Sequence, residues 1–309
     1  MAIVIASDIK NLKPWISALN KVDPSVEVTT MDEVRDKSAI EFILAWNYPH
    51  GLLRKYPRLK TVASMGAGAD HILNDPYLPE NVNIVRLADP GLSQDMYEFT
   101  LAAIMNRLRS LTRYRENQMQ GIWKKTLYCR ISDVTIGVMG TGAIGNHIAS
   151  GLHTAGFRVS GWKRTAAPSG LYKIYHGNDQ LESFFSNAGI LICLLPLTAE
   201  TEGILNKQNM QMLPKNAWII NLGRGGHLVE EDLVELLDSG HLDGANLDVF
   251  RTEPLPPGHP FWNHKKIFIT PHIASIPVPG SVAPQILENY RNTIENKPLK
   301  NKVNRQRGY

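Results

Sequence analysis

The chain has 309 residues, of which 43% are hydrophobic and 20% are charged, and its formal net charge is +4. This length exceeds what one hydrophobic core usually organises, so we expect two globular domains. The basic residues form no block and no apolar run approaches the length of a bilayer span, which argues against nucleic-acid-binding and membrane-spanning classes and favours a cytoplasmic protein.

The first 92 residues predict a small parallel α/β unit. Short β-rich runs at 2–6, 41–46 and 60–65 alternate with helix-like or turn-rich stretches. After the turn-prone segment 89–92, Ser93 is placed to cap a long amphipathic helix over 94–120.

From residue 135 onward, strands and helices alternate as in a doubly wound parallel sheet. Predicted strands lie near 135–139, 157–161, 190–195, 217–221, 244–249 and 267–270. Predicted helices lie between them, for example at 143–155 and at 230–239, where Gly240 ends the helix. This alternation is typical of the Rossmann class of α/β fold.

A glycine-rich turn joins the first of these strands to its helix. The turn consists of Gly140, Thr141, Gly142, Ala143, Ile144 and Gly145. Glycines here let the backbone approach a pyrophosphate, and the N–H groups and the positive end of the helix dipole hold the anion. Strand, turn and helix in this order predict a dinucleotide site, the alternative being a plain turn whose glycines only relieve strain.

The end of the next strand predicts which dinucleotide binds. An NAD site places an acidic residue about twenty residues after the glycines, on the ribose 2′-hydroxyl. This chain has no Asp or Glu between residues 145 and 179, and the strand ends instead in Trp162, Lys163, Arg164 and Thr165. Two cations and a hydroxyl suit a 2′-phosphate, so we predict NADPH, with NADH as the weaker cofactor. Solvated surface cations are the alternative.

Three polar side chains follow predicted strands at the edge where ligands of open α/β sheets bind. Arg224 follows strand 217–221, Glu253 follows strand 244–249, and His272 follows strand 267–270. Reduction of a ketone beside a carboxylate requires a fixed cation, a proton donor and a group that tunes the donor. We therefore expect these residues to converge, although a structural histidine is the alternative for His272.

Several motifs along nearly the whole chain occur in one order. They are MGTGAIG at 139–145, LLPLT at 194–198, NLGRGG at 221–226, LDVFRTEPLPP at 247–257, TPHIA at 270–274 and RGY at 307–309. Together they resemble the D-isomer-specific 2-hydroxyacid dehydrogenase family, most closely its glyoxylate/hydroxypyruvate reductase A branch. The resemblance implies a Rossmann cofactor domain over 93–270 and a smaller flavodoxin-like α/β substrate domain formed by 1–92 and 271–309. It also implies that a helix near 281–295 folds back onto the first domain.

The same resemblance implies roles for individual residues. His272 corresponds to the general acid, Glu253 to the carboxylate paired with it, and Arg224 to the residue that binds the substrate carboxylate. A neighbouring anion favours the protonated imidazole, and an arginine keeps its charge throughout. Further implied cofactor contacts are Leu195, Pro196, Leu222 and Asp248. Asp248 corresponds to a contact near the nicotinamide carboxamide, but a buried loop-capping aspartate is an open alternative.

The resemblance also implies substrate contacts in the first domain. The loop that follows the strand near 60–63 contains Met65, Gly66, Ala67 and Gly68. Its successive N–H groups are suited to cradle a carboxylate, as the matching family loop does, whereas the alternative is a simple tight turn. Trp46 corresponds to a residue that walls the substrate pocket, or else is a core aromatic.

The remaining signals concern metals and partners. The histidines show no metal-binding grouping, and Cys129 and Cys193 are too few for a disulfide framework or a metal site, so we predict no metal. Trp123 is expected to pack against a partner subunit, which predicts a homodimer.

The expected activity is NADPH-dependent reduction of small 2-oxo acids, with glyoxylate converted to glycolate and hydroxypyruvate to D-glycerate. These substrates are implied by the resemblance alone. Two alternatives stay open, a dehydrogenase for bulkier 2-oxo acids and a nicotinamide-sensing binding protein without catalysis.

Overall fold

The chain divides into two units in the computed structural model, which describes residues 2–166 and 170–308. The first unit comprises Met1–Gly91 and Ile276–Tyr309, and the second comprises Leu92–Ser275. The sequence-based boundary after residue 92 differs from the observed one by one residue, and the boundary after residue 270 differs by five.

Strands and helices are numbered along the chain. The strands are β1 (Ala2–Ser7), β2 (Glu27–Thr30), β3 (Phe42–Trp46), β4 (Thr61–Ser64), β5 (Asn83–Val85), β6 (Thr135–Met139), β7 (Arg158–Lys163), β8 (Lys173–His176), β9 (Ile190–Cys193), β10 (Ala217–Asn221), β11 (Leu242–Leu247) and β12 (Ile267–Ile269). The helices are α1 (Lys13–Val22), α2 (Asp70–Leu73), α3 (Pro90–Arg109), α4 (Leu111–Met119), α5 (Ala143–Thr154), α6 (Leu181–Phe185), α7 (Lys207–Gln211), α8 (Glu230–Asp238) and α9 (Pro279–Ile294).

The described part of the first unit contains a parallel sheet in the order β2-β1-β3-β4-β5. This is the flavodoxin order, as predicted. The apolar face of the sheet, including Ile3, Phe42 and Leu44, packs with the buried side of α9, including Ile286 and Leu287. The helix placed near 281–295 by the resemblance is therefore α9, and it completes the core of the first unit.

The second unit contains, within its described residues, a parallel sheet in the order β12-β11-β10-β9-β6-β7-β8. After β6, the strands β7 and β8 are added on one side of it, and β9 to β12 are then added on the other side. The strand order therefore reverses between β6 and β9. Apolar clusters cover the sheet, one including Phe184 and Phe261 and the other including Ile148 and Ile220. This is the predicted doubly wound fold, and its ligand crevice is expected at the carboxyl ends of β6 and β9.

The prediction of one long helix over 94–120, capped by Ser93, is wrong. The helix α3 begins at Pro90, where the side chain of Asp89 accepts a hydrogen bond from Gly91 N–H at 2.9 Å and acts as the cap. It ends before Ser110, which has a left-handed φ of 53°. The Asn106 side-chain oxygen accepts from Thr112 N–H at 3.1 Å and so starts α4 separately.

Candidate active site

The glycine turn after β6 has the geometry that a dinucleotide site needs. Gly140 has a φ of +96°, and a Cβ there would lie 2.8 Å from the Leu194 carbonyl oxygen. A Cβ on Gly145 would lie 1.9 Å from the Gly140 oxygen, so both positions require glycine. Asn146 N–H donates to Gly142 C=O at 2.8 Å, which is the first hydrogen bond along α5. The N–H groups that precede Asn146 in the first turn are therefore not used within the helix and point out of its N-terminus.

Two observations show that this turn fits an anionic cofactor. A Cβ built on Gly142 meets nothing within 4 Å, so its backbone borders open space. The hydroxyl oxygen of Thr141 is buried and has no hydrogen-bond partner among the described residues. A polar atom without a partner beside exposed helix N–H groups is suited to a phosphate oxygen.

The predicted reader of the ribose 2′ position lies at the end of β7. The ring of Trp162 is buried and its indole N–H donates to Gly177 C=O at 3.0 Å, so this side chain belongs to the core. Lys163 is half-buried, whereas Arg164 and Thr165 are exposed. The guanidinium of Arg164 forms an ion pair with Glu200.

Other predicted cofactor residues follow β9 and β10. The side chains of Leu195 and Leu222 are buried, and Pro196 is half-buried. Because β9 and β10 are neighbours, these segments lie at the same edge of the sheet as the glycine turn. Because the leucine side chains are buried, their backbone is the part suited to contact a ligand.

The loop that carries Arg224 is held by its own backbone and by two buried side chains. Arg224 N–H donates to Nδ1 of the fully buried His227 at 3.1 Å. Its C=O accepts from Nδ2 of Asn221 at 3.0 Å and from His227 N–H at 3.2 Å. A Cβ on Gly225 would lie 1.8 Å from the backbone of Phe250, so the arginine loop packs directly against the segment that leads to Glu253. Sequence reasoning missed His227, whose only signal is its position three residues after the arginine.

His272 and Glu253 form a hydrogen-bonded pair. Nδ1 of His272 lies 2.8 Å from Oε2 of Glu253, and the other carboxylate oxygen accepts from Phe250 N–H at 2.9 Å. Burial raises the pKa of Glu253, but the hydrogen bonds from His272 and Phe250, together with the positive charges of His272 and Arg224, leave that pKa below its usual value. The carboxylate is therefore ionised near neutrality and fixes the imidazole, while Nε2 is directed away from this bond.

Asp248 holds the loop from which His272 projects. It is 1% exposed, and its Oδ1 accepts from the Thr270 hydroxyl at 2.6 Å and from Ile273 N–H at 2.9 Å. Its Oδ2 accepts from Ala274 N–H at 2.8 Å, and its backbone C=O accepts from His272 N–H at 2.8 Å. These bonds support the left-handed backbone of His272, whose φ is 55°. They favour the loop-capping alternative for Asp248.

The predicted substrate loop of the first unit is also pre-formed. The Ser64 hydroxyl donates to Gly68 C=O at 2.6 Å and accepts from Gly66 N–H at 3.1 Å. The ring of Trp46 lies over this loop, since a Cβ on Gly66 would be 2.7 Å from it. Met65 is 2% exposed and packs in the core. The loop therefore presents the backbone of Ala67 and Gly68, both half-buried, beside an aromatic wall.

The described residues also bear on metal binding and on membrane insertion. In 2–166 and 170–308, no three His, Cys, Asp or Glu side chains are grouped to hold a metal ion. Over the same ranges, no helix combines the length and the apolar character needed to cross a bilayer. Cys193 is buried, which raises the pKa of its thiol to about 12, and Cys129 is exposed.

The amino-acid sequence is similar to those of known proteins. The profile of the family described as D-isomer specific 2-hydroxyacid dehydrogenase, NAD binding domain, matches residues 101–274. Over 294 residues, 94% of each chain, the sequence is 38% identical to glyoxylate/hydroxypyruvate reductase A of Serratia proteamaculans (strain 568). Over 282 residues, 90% of each chain, it is 36% identical to the protein of that name from Photorhabdus laumondii.

Solved structures are similar over the full length. One is a D-isomer specific 2-hydroxyacid dehydrogenase from Xanthobacter autotrophicus Py2 in complex with NADPH and MES, with a TM-score of 0.93 and 35% identity, covering 100% of this chain and 99% of that one. Another is the NADPH-dependent glyoxylate/hydroxypyruvate reductase of Sinorhizobium meliloti in complex with NADP and sulfate, with a TM-score of 0.93 and 32% identity at the same coverage.

Proposed function

This chain belongs to the D-isomer specific 2-hydroxyacid dehydrogenase family, and from that membership we propose that it is an NADPH-dependent reductase of small 2-oxo acids. Glyoxylate and hydroxypyruvate are the proposed substrates, giving glycolate and D-glycerate. The names of its relatives support these substrates. The observation that carries the chemistry is the His272–Glu253 pair at 2.8 Å, with the Arg224 charge close enough to lower the pKa of Glu253.

Each of these residues has a distinct proposed role. Arg224 binds the substrate carboxylate and stabilises the negative charge that develops on the carbonyl oxygen. Nε2 of His272 donates a proton to that oxygen, since Nδ1 is engaged by Glu253. Glu253 orients the imidazole through its hydrogen bond to Nδ1. A bound reduced nicotinamide would supply the hydride.

The proposed cofactor contacts are those at the edge of the second sheet. They are the turn 140–144, the basic segment 162–165, Leu195, Pro196 and Leu222. The absence of an acid between residues 145 and 179 supports a 2′-phosphate beside Lys163 and Arg164. The double variant Lys163→Ala/Arg164→Ala is expected to raise the KM for NADPH at least about tenfold and to leave that for NADH little changed. Equal losses for both cofactors would contradict the assignment.

Within the first unit, we propose that the loop 65–68 and Trp46 bind the substrate. The N–H groups of Ala67 and Gly68 are suited to an anionic group, and the Trp46 ring that covers Gly66 limits the space for large substituents. Trp46→Ala is expected to raise the relative kcat/KM for phenylpyruvate over glyoxylate.

The activity is tested with a steady-state panel of glyoxylate, hydroxypyruvate and phenylpyruvate, each with NADPH and NADH. His272→Asn is expected to lower kcat by about two to four orders of magnitude while NADPH still binds. The matched control is His264→Asn, because His264 also pairs with a carboxylate, Asp238, at 3.2 Å in the same unit. A preference for phenylpyruvate would indicate a dehydrogenase of bulkier acids, and cofactor binding without turnover would indicate a nicotinamide-sensing protein.

We also propose a homodimer. An exposed apolar segment at 119–128 supports this, with Trp123 at 96% and Leu127 at 97% exposure. Apolar side chains exposed together in one stretch are typical of an interaction surface.

A further inference from the structure

The ion pair between Arg164 and Glu200 joins the end of β7 to the loop that follows β9, and these two strands are not neighbours. Arg164 directly follows β7, and Glu200 lies in the turn after β9. In the sheet order, β6 lies between them. Adjacent strands are about 4.8 Å apart, so β7 and β9 are separated by about 10 Å, a span that these long side chains close.

The ion pair therefore reaches across the carboxyl end of β6, where the glycine turn begins. That edge is also where the strand order reverses, which is the expected cofactor crevice. An anionic group bound at the end of β7 would meet the guanidinium that Glu200 already engages.

The position of Glu200 is fixed by its own turn. The Thr201 hydroxyl donates to Pro196 C=O at 2.6 Å and accepts from Thr198 N–H at 2.9 Å. Glu202 N–H closes the turn on Thr198 C=O at 2.9 Å. The backbone from which the 64% exposed side chain of Glu200 reaches Arg164 is thus fixed by a short, hydrogen-bonded turn that starts at a proposed cofactor residue, Pro196.

We propose that Glu200 competes with the 2′-phosphate of the cofactor for Arg164 and is a specificity-determining residue that weakens NADPH binding. This inference rests on the proposed function, in which Arg164 binds that phosphate. Carboxylate and phosphate accept the same guanidinium hydrogen bonds, and side by side they repel each other. NADH has no 2′-phosphate, so the ion pair persists when it binds and Glu200 has little effect on its affinity.

The test is equilibrium binding by calorimetry, using adenosine 2′,5′-bisphosphate and AMP as probes together with NADPH and NADH. Glu200→Gln is expected to tighten adenosine 2′,5′-bisphosphate and NADPH by about two- to fivefold, the range of an exposed ion pair, and to leave AMP and NADH unchanged. This gain in affinity is expected to become smaller as the KCl concentration is raised. Glu235→Gln is the matched control, since Glu235 is 58% exposed and pairs with Lys207 in the same unit; it is expected to change none of these affinities.

The same substitution in an Arg164→Ala background separates the two proposals. There Glu200→Gln is expected to have no effect, because its action requires Arg164. Unchanged or weaker binding of adenosine 2′,5′-bisphosphate in Glu200→Gln alone, or a gain that persists without Arg164, would overturn the competition. If Arg164→Ala itself leaves NADPH affinity intact, the 2′-phosphate assignment fails instead.

Discussion

Replacing the buried carboxylate of Asp248 by an isosteric amide should loosen the loop that carries His272. Asp248 accepts hydrogen bonds from Thr270, Ile273 and Ala274 at 2.6–2.9 Å, and it is 1% exposed. In Asp248→Asn one oxygen becomes an NH₂ group that faces a donor. Leaving a buried N–H unpaired costs about 1–3 kcal/mol, and losing the charge from the other two bonds costs about 1 kcal/mol each. We expect a loss of about 3–5 kcal/mol in unfolding free energy.

The same variant should lower kcat more than it changes cofactor binding. A shift of His272 by about 1 Å costs up to about 100-fold in rate, so kcat is expected to fall about 10- to 100-fold. The measurements are urea unfolding, kcat and the Kd for NADPH. The control is Asp243→Asn in β11, the strand that Asp248 directly follows; the 41% exposed Asp243 pairs with Arg107 and the expected loss is below about 1 kcal/mol.

The opposite pattern of effects would contradict the loop-holding role of Asp248. If Asp248→Asn keeps its unfolding free energy and kcat but binds NADPH more weakly, then Asp248 serves the cofactor, as the family resemblance implies, and does not hold the loop.

Three further substitutions test other features of the structure. The pKa of Glu253 is lower in the folded than in the unfolded chain, so its stabilising contribution is present above the ordinary value of 4.5 and is lost as the pH falls through the lowered one. Urea unfolding should therefore separate wild type from Glu253→Gln at neutral pH and show a smaller difference at about pH 3. Gly225→Ala places a Cβ 1.8 Å from the Phe250 backbone, and the thermal unfolding midpoint and kcat should both fall, with a cost of about 3 kcal/mol or more. Trp123→Ser should shift the light-scattering mass from dimer toward monomer.

Each substitution has a control and an adverse outcome. A Glu253→Gln effect that grows at acidic pH would contradict the expected direction of the pKa shift. Gly280→Ala is the control for Gly225, since a Cβ there meets nothing within 4 Å; equal effects would argue against the clash. Trp262→Ser removes another exposed tryptophan, 52% exposed, and an unchanged mass for both tryptophan variants would argue against the proposed interface.

The second sheet was largely predictable because its central strands are buried on both faces. The predicted strands 135–139 and 217–221 coincide with β6 and β10, which consist almost entirely of buried residues. The edge strand β8 was missed, since its four residues pair with β7 alone and Tyr175 is the one buried residue among them, so the strand has no apolar run. The break at Ser110 was missed because it depends on the Asn106 side chain, which forms its bonds only once α3 exists.

The candidate site shows the same division. Arg224, Glu253 and His272 were identifiable as candidates because each follows a recognisable strand. The residues that hold them were not, because their function lies in contacts between distant segments. His227 forms its bond to Arg224 while fully buried, and Glu200 meets Arg164 from a turn 36 residues later. Pairing between side chains that are far apart in the sequence is a property of the folded chain and leaves no local pattern.

The first unit is formed by two separate segments of the chain, and this has a consequence for synthesis on the ribosome. Its strands are all made before residue 92, yet the face that includes Ile3, Phe42 and Leu44 is fully covered only once α9 packs on it. At about 5–20 residues per second, translating the intervening segment takes on the order of ten seconds or longer. During that time the nascent sheet exposes part of its apolar face to solvent. The second unit is one continuous segment, so it is synthesised completely before α9. The second unit is thus expected to complete its folding before the first, and the incomplete N-terminal sheet is expected to be bound by a chaperone in the meantime.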